Sequence, residues 1–275
     1  DKTKKMTAEQ IQSVRELVKI PRFTDRRLDV AIDGNTLTCI CDNRVSGILK
    51  EWLMVESGMQ QQAVGLVCAA LGVGMVFRNL GKDGTALSEA DYGTVKLKLD
   101  AMKPTYAGAF WSTSPPAGRR PWLDGVLPAP DRKGSRPLLA MLSRVQRVNH
   151  SSENLTDSSL GQLLWAAKGR TPHLYKSRAW GMTIPTWGGE SVTDLYLVIN
   201  GTLSRYVNWE KNRPTHSLTV SGEIENSLYR VLAEEYPSSN TFIVLGKNEQ
   251  FGRALWEIGY QLLNILLQAN ALNIG

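Results

Sequence analysis

The sequence is poor in the residues that build disulfide frameworks and metal centres. Its 275 residues include only three cysteines and three histidines. Cys39, Cys41 and Cys68 are too few for a disulfide framework, and Cys39 and Cys41 lie two apart on an extended segment, where both would point to one face. We therefore expect reduced, mostly packed cysteines. The histidines are scattered without the spacing of metal ligands, which argues against a structural metal.

Long apolar runs and blocks of like charge are also absent from the sequence. The longest apolar stretch, residues 63–77, is shorter than the roughly 18 residues that a membrane span needs. Basic residues outnumber acidic ones by 32 to 26, a formal net charge of +6, yet no basic run marks a nucleic-acid-binding arm. We expect a soluble, globular protein with no membrane span and no nucleic-acid partner, whose mild positive charge favours an anionic ligand.

The start of the chain leaves its compartment open. The sequence begins at Asp1 without an initiator methionine, so a processed export signal stays an alternative to the slightly favoured cytoplasmic location.

Hydrophobic periodicity predicts a mixed α+β fold. Apolar residues recur at helical spacing in residues 7–19, 46–77, 160–167, 222–235 and 253–273. Asp33-Gly34 and Asn200-Gly201 each lie between two β-type segments, the pattern of a hairpin turn. Prolines concentrated between residues 103 and 137 separate two modules. We therefore predict a mostly antiparallel central sheet wrapped by helices.

The two modules share a repeated segment. Residues 56–74 align without gaps with residues 257–275, at an offset of 201 (257 − 56), and seven of the nineteen positions are identical. Composition alone would give roughly one or two identities. A hairpin sequence precedes each copy, at residues 28–40 and 195–207. Two unrelated amphipathic helices are the alternative, but the matches favour duplication.

The second module carries an ordered set of motifs. They are LPAP (127–130), LTDSSLGQLLWAAKG (155–169), PTWGG (185–189), DLYLVIN (194–200) and, near the end, Glu257, Gly259, Asn264, Leu267, Leu272 and Gly275. In order and content these motifs resemble the nitroreductase-like flavin oxidoreductases, and most of all the branch that includes the thiazoline and oxazoline dehydrogenases. The resemblance implies a nitroreductase-like α+β fold and a binder of flavin mononucleotide (FMN).

The same resemblance implies a phosphate clamp. Arg144 and Arg147 lie three residues apart, so they would share one helical face, and guanidinium groups bind phosphate through paired hydrogen bonds. Without the resemblance, two such arginines could equally well solvate a helix surface. Asn264 and Arg78 are lesser candidates for contacts to the cofactor.

A glycine-bearing loop is the candidate for the flavin ring. Glycine lets the backbone approach a planar ligand closely, and a neighbouring tryptophan could pack on the ring. The loop residues are Pro185, Thr186, Trp187, Gly188 and Gly189. An ordinary surface loop is the alternative, since a pair of glycines alone is weak evidence.

The domain organisation follows from the repeat and the resemblance. We predict a degenerate nitroreductase-like half in residues 1–110, a proline-rich connector in 111–136 and an FMN-binding half in 137–275. Nitroreductases are generally dimers with flavin at the subunit interface, so the resemblance implies either a homodimer or an internal pseudo-dimer.

The expected function is an FMN-dependent oxidoreductase. It would transfer hydride or electrons between a reductant, for which NAD(P)H is a candidate, and an unidentified organic small molecule. No catalytic residue is assigned, because the flavin itself performs this chemistry. Two alternatives stay open: a flavin-binding storage or sensing protein without turnover, and a binding module that holds no flavin.

Overall fold

The fold combines helices with antiparallel sheets, which confirms the α+β class. The structure, a computed structural model, describes residues 6–25, 28–33, 36–41, 46–77, 94–100, 124–132, 137–143, 145, 155–171, 180–186, 191–247 and 252–274. The helices are α1 (Ala8–Leu17), α2 (Gly47–Ala70), α3 (Leu138–Leu142), α4 (Asp157–Lys168), α5 (Asn226–Glu235) and α6 (Gly252–Leu272). The strands are β1 (Leu28–Asp33), β2 (Thr36–Cys41), β3 (Gly74–Phe77), β4 (Thr94–Asp100), β5 (Gly125–Val126), β6 (Arg170–Thr171), β7 (Gly181–Met182), β8 (Thr193–Ile199), β9 (Thr202–Glu210), β10 (Arg213–Glu223) and β11 (Thr241–Lys247).

The described strands form two larger sheets, one of four strands and one of five, and not the single central sheet that the sequence predicted. Their orders are β1-β2-β4-β3 and β11-β8-β9-β10-β5, and β6 pairs separately with β7. Both predicted hairpins are confirmed, because Asp33 pairs with Thr36 and Ile199 pairs with Thr202. Asn200 and Gly201 have φ angles of 50° and 85°, the left-handed values that a type I′ turn requires.

Two predicted helix boundaries are wrong. The segment 46–77 holds α2, which ends at Ala70, and then β3, because the chain turns at Gly72 with a φ angle of 73°. The helix predicted from residue 222 begins at Asn226, because β10 continues to Glu223. Short apolar runs do not distinguish a helix from a strand when both are buried, which explains the first error.

Two glycines lie where α2 and α6 cross. A Cβ atom on Gly259 would overlap the carbonyl oxygen of Val55 and lie 2.7 Å from the nitrogen of Met59. A Cβ atom on Gly58 would overlap the carbonyl oxygen of Trp256 and lie 2.8 Å from its Cα. The two backbones therefore touch, which residues with a side chain at these positions would prevent.

One hydrophobic core draws on both predicted halves. It includes the fully buried Val14, Leu37 and Met59 from the first half, and Leu142, Tyr260 and Leu263 from the second. A second core lies between the five-stranded sheet, α4 and α6. Part of the predicted connector contributes to it: β5 pairs with β10, and Leu127 is buried. Residues 125–127 thus pack with the five-stranded sheet rather than forming part of a separate connector.

Two of the three cysteines are packed as expected. Cys39 and Cys68 are buried free thiols, and burial raises the pKa of Cys68 to about 12. Within the described ranges, no group of three His, Cys, Asp or Glu side chains is placed to hold a metal ion. Over the same ranges, none of the helices has the length and apolar character to cross a membrane.

Candidate functional site

The candidate site is built around the end of α4 and the segment from Gly181 to Thr186. After α4 ends, Arg170 pairs with Met182 and Thr171 with Gly181. The amide of Thr183 donates to the carbonyl of Gly169 at 3.0 Å. Its hydroxyl donates to the carbonyl of Trp165 at 3.3 Å, and the same carbonyl accepts from the amide of Gly169, so Thr183 is attached to the last turn of α4.

The carbonyl oxygen of Thr183 is held by two side-chain amides. Asn264 on α6 donates through Nδ2 at 3.2 Å, and Gln62 on α2 donates through Nε2 at 3.3 Å. Asn264 Nδ2 also donates to the carbonyl of Ala166 on α4 at 3.0 Å, and Gln62 Nε2 donates to Asn264 Oδ1 at 2.9 Å. Gln62, Asn264 and Thr183 are all buried. Residues of three helices therefore fix the backbone two residues before Pro185.

Residues 191–193 are fixed by the same helix. Glu257 on α6 accepts hydrogen bonds from the hydroxyl of Ser191 at 2.8 Å and the amide of Val192 at 2.9 Å. Gln261, one turn later, donates to the hydroxyl of Thr193 at 2.7 Å. Glu257 and Asn264 lie two turns apart, about 10 Å along one face of α6. Both flanks of residues 187–190 are thus attached to that face.

The predicted site residues divide into two groups. Pro185 and Thr186 are half-buried at the end of the fixed segment, and Asn264 is fully buried beneath it. Asn264 contacts the carbonyl of Thr183, two residues before Pro185, and the roles of these three residues in binding stay a prediction. The others lie outside the described residues: Arg78, Arg144, Arg147, Trp187, Gly188 and Gly189. Helix α3 ends at Leu142, before Arg144 and Arg147, so α3 does not carry them. Their sharing of one helical face stays a prediction.

A steric reason accounts for the glycine of the LLWAAKG motif. A Cβ atom on Gly169 would overlap the indole ring of Trp165. That ring is buried, and its Nε1 donates to the carbonyl of Arg170 at 3.2 Å. Because Gly169 has no side chain, the Trp165 ring can pack against the C-terminal end of α4. The carbonyl of Gly169 accepts from the amide of Thr183.

Two ionisable side chains lie beside residues 191–193: Lys168 is half-buried and Glu257 is fully buried. The amine of Lys168 donates to the carbonyl of Thr193. Burial lowers the pKa of Lys168 to about 8, while the nearby carboxylates of Asp194 and Glu257 act in the opposite direction. Burial also raises the pKa of Glu257, opposed by its hydrogen bonds from Ser191 and the Val192 amide. A half-buried amine and a buried carboxyl group thus lie where α4, α6 and β8 meet.

Basic and aromatic side chains form a further cluster nearby. The guanidinium of Arg170 lies over the Trp209 ring at 5.0 Å, and that of Arg132 over the Trp180 ring at 5.9 Å. The hydroxyl of Tyr206 and Nδ1 of His216 are 2.8 Å apart. Burial, and then the charge of Arg132, lowers the pKa of His216 to about 4. His216 is therefore neutral near pH 7.

Several residues of the site were not predicted from the sequence. Gln62 and Glu257 gave a signal, because both lie in the repeated segment, but their partners are remote in the sequence. Lys168 follows directly after the apolar part of its motif, where a lysine is more often solvated. His216 gave no usable signal, since its partner Tyr206 faces it only across paired strands.

The comparisons with known proteins leave the family open. No protein-family model matches the chain, and no curated protein matches it. Among solved structures, the chain is similar to the crystal structure of a "putative nitroreductase" from Ralstonia eutropha JMP134. The identity is 22%, the TM-score is 0.36, and the match covers 58% of this chain and 80% of that chain. The identity and the TM-score are too low to assign a family, so the function has to be inferred from the residues of the site.

Proposed function

We propose that this chain binds FMN and acts as an FMN-dependent oxidoreductase. The observation that supports it most is the attachment of both flanks of residues 187–190 to one face of α6, through Asn264 and Glu257. A loop that lines a planar cofactor has to keep its backbone in register with the ring, and buried hydrogen bonds to rigid helices do this. Once bound, the flavin supplies the hydride and electron transfer, and the protein supplies binding and orientation.

Each candidate site residue then has a role in binding. The ring is lined by the loop residues Pro185, Thr186, Trp187, Gly188 and Gly189. Asn264 supports the loop from beneath by holding the Thr183 carbonyl. The phosphate is bound by Arg144 and Arg147, with Arg78 as a further contact, because arginine pairs with phosphate through two parallel hydrogen bonds.

The internal pseudo-dimer is part of the same proposal. The close approaches at the crossing of α2 and α6 are reciprocal: Gly58 meets Trp256, and Gly259 meets Val55. The two glycines are 201 residues apart (259 − 58), and so are their two partners (256 − 55). Such reciprocity is the signature of a two-fold symmetric contact between equivalent elements. It supports a duplicated chain whose two halves imitate a dimer.

A second pair of contacts supports the duplication independently. Glu56 accepts a hydrogen bond from the hydroxyl of Thr24 at 2.6 Å, and Glu257 accepts one from the hydroxyl of Ser191 at 2.8 Å. The two glutamates are equivalent in the repeat (257 − 56 = 201). The two hydroxyl residues are 167 apart (191 − 24), which is also the offset of the hairpins that follow them (195 − 28). Each half thus attaches its helix to the start of its hairpin in the same way.

The test begins with the colour of the purified full chain. After incubation with FMN and removal of the excess, we expect retained absorbance near about 450 nm, the flavin band. In a sedimentation experiment followed at that wavelength, the colour should travel with the mass of one chain. Anaerobic addition of NADPH or NADH should bleach it, and a quinone or nitroaromatic acceptor should restore it.

The other outcomes separate the alternatives. A yellow protein that neither reductant bleaches indicates a storage or sensing protein. A chain that stays colourless after incubation contradicts the proposal outright. Colour that travels only with two chains contradicts the pseudo-dimer while leaving flavin binding intact.

The phosphate clamp has a test of its own. We expect Arg144→Ala combined with Arg147→Ala to weaken FMN binding by at least about tenfold, because a hydrogen bond to a charged group contributes about 1.5–3 kcal/mol. Affinity for riboflavin, which has no phosphate, should change little. Arg230→Ala is the matched control, since Arg230 is an exposed residue of α5. Equal losses for FMN and riboflavin would exclude a phosphate clamp at these arginines.

A further inference from the structure

We propose that Gln62, a residue of the first half, is a positioning residue for the flavin-facing loop of the second half. The proposal rests on the proposed function, but its structural part stands without the cofactor. Gln62 lies on α2 and is 4% exposed. Its Nε2 donates across 121 residues of sequence to the carbonyl of Thr183, two residues before Pro185. The first half would therefore contribute directly to the geometry of the cofactor site.

The hydrogen bonds around Gln62 use every proton of two side-chain amides. Gln62 Nε2 donates to the Thr183 carbonyl at 3.3 Å and to Asn264 Oδ1 at 2.9 Å. Asn264 Nδ2 donates to the same Thr183 carbonyl at 3.2 Å and to the Ala166 carbonyl at 3.0 Å. The Thr183 oxygen, with two lone pairs, is thus filled by one amide from each half. Removing the Gln62 amide would leave Asn264 Oδ1 without its donor in the protein interior.

The neighbouring Gln61 separates positioning from general support. Its Oε1 accepts from the hydroxyl of Tyr260 at 2.6 Å, and its Nε2 donates to the hydroxyl of Ser57 at 3.3 Å. It is fully buried and also joins α2 to α6. Gln61 therefore contributes to the same helix pair, but its hydrogen bonds do not reach Thr183. Gln62 adds the attachment of the loop, and small displacements of a binding group have large effects on a bound reactant.

The experiment compares Gln62→Met with the matched control Gln61→Met in the full chain. Methionine keeps the length of the side chain and removes the amide. Both variants should lower the free energy of unfolding, since each loses a buried link between α2 and α6. We expect only Gln62→Met to speed amide hydrogen exchange in residues 181–186 by at least about tenfold, and only Gln62→Met to raise the Kd for FMN by a similar factor. Equal effects of the two variants, or none from Gln62→Met, would overturn the proposal.

A charged variant gives a pH-dependent readout that a merely structural role would not produce. In Gln62→Glu, an ionised carboxylate would face two acceptors, the Thr183 carbonyl and Asn264 Oδ1, so the loop should open. As the pH falls from about 8 to about 5, protonation of the introduced carboxyl restores one donor, and we expect exchange protection and FMN affinity, each relative to wild type, to recover. A pH-independent defect would contradict the role.

The two proposals fail in distinguishable ways. A wild-type chain that never binds FMN removes the proposed function, yet the exchange measurement still decides whether Gln62 positions residues 181–186. Normal FMN binding together with unchanged exchange in Gln62→Met leaves the function intact and removes the role of Gln62.

Discussion

Alanine at Gly259 should separate the two central helices and destabilise the protein. The new methyl group would overlap the Val55 carbonyl oxygen and lie 2.7 Å from the Met59 nitrogen and 2.8 Å from the Gly58 Cα. These are backbone atoms, so no change of rotamer relieves the overlap. Non-bonded carbon contacts are optimal at about 3.5–4.0 Å, and α2 and α6 would have to move apart by about 1 Å.

The magnitude follows from two opposing effects. Overpacking a core costs about 1–3 kcal/mol, and obstruction by backbone places Gly259→Ala at the upper end. Alanine is preferred over glycine inside a helix by about 1 kcal/mol, which offsets part of this. We therefore expect Gly259→Ala to lower the free energy of unfolding by about 2 kcal/mol. Gly58→Ala should do the same, and the double variant should cost less than the sum, because one methyl already opens the crossing.

The assay is a urea titration followed by tryptophan fluorescence, with Gly161→Ala as the control. Gly161 lies within α4, and its added Cβ would meet a side-chain atom, His216 Nε2, at 3.2 Å. That contact is with a side chain and needs a shift of only a few tenths of an ångström, so we expect a smaller loss of stability than at Gly259. If Gly259→Ala unfolds at the same urea concentration as wild type, or at a higher one, the close backbone contact inferred at the crossing is wrong.

Two further predictions concern pH and are checked by unfolding titrations across a pH series. Burial raises the pKa of Glu257 in the folded state, so the contribution of Glu257 to stability is complete at low pH and is lost as the pH rises above 4.5, the ordinary pKa of a glutamate. Glu257→Gln should remove this loss. If the stability of wild type and of Glu257→Gln changes with pH in the same way, the prediction is refuted. Burial lowers the pKa of His216 to about 4 from 6.5, so the protonation of His216 alone should cost about 3 kcal/mol of stability as the pH falls across that interval. This part of the pH dependence should be absent from His216→Gln, and equal pH dependence in the two proteins would contradict the prediction.

Local signals predicted the secondary structure well where a few adjacent residues decide it. Asn200-Gly201 forms the expected hairpin turn, and the N-terminal helix is capped by Thr7 through a capping box. The helix predicted at residues 160–167 is confirmed as part of α4, which begins at Asp157 and ends at Lys168. Such features depend on dihedral preferences and hydrogen bonds within about four residues.

Predictions of secondary structure were wrong where tertiary packing decides between two conformations that the local sequence allows equally. The apolar residues after Ala70 suit a buried helix or a buried strand equally well, and the chain forms β3 because it pairs with β4. The short segment 125–126, which looked like part of a connector, is a strand because β10 offers it an edge. Pairing partners far away in sequence settled both cases.

The same distinction separates what the sequence by itself determined from what only the tertiary structure decided. The sequence determined the hairpins, the major helices and the α+β class, since each is visible over a short window. Tertiary structure decided that Asn264 and Glu257 hold the residues on either side of 187–190, and that Gln62 reaches Thr183 from α2. Partners 65 to 121 residues apart are selected by how the helices pack, and the touching backbones at Gly58 and Gly259 bring α2 and α6 close enough to share them.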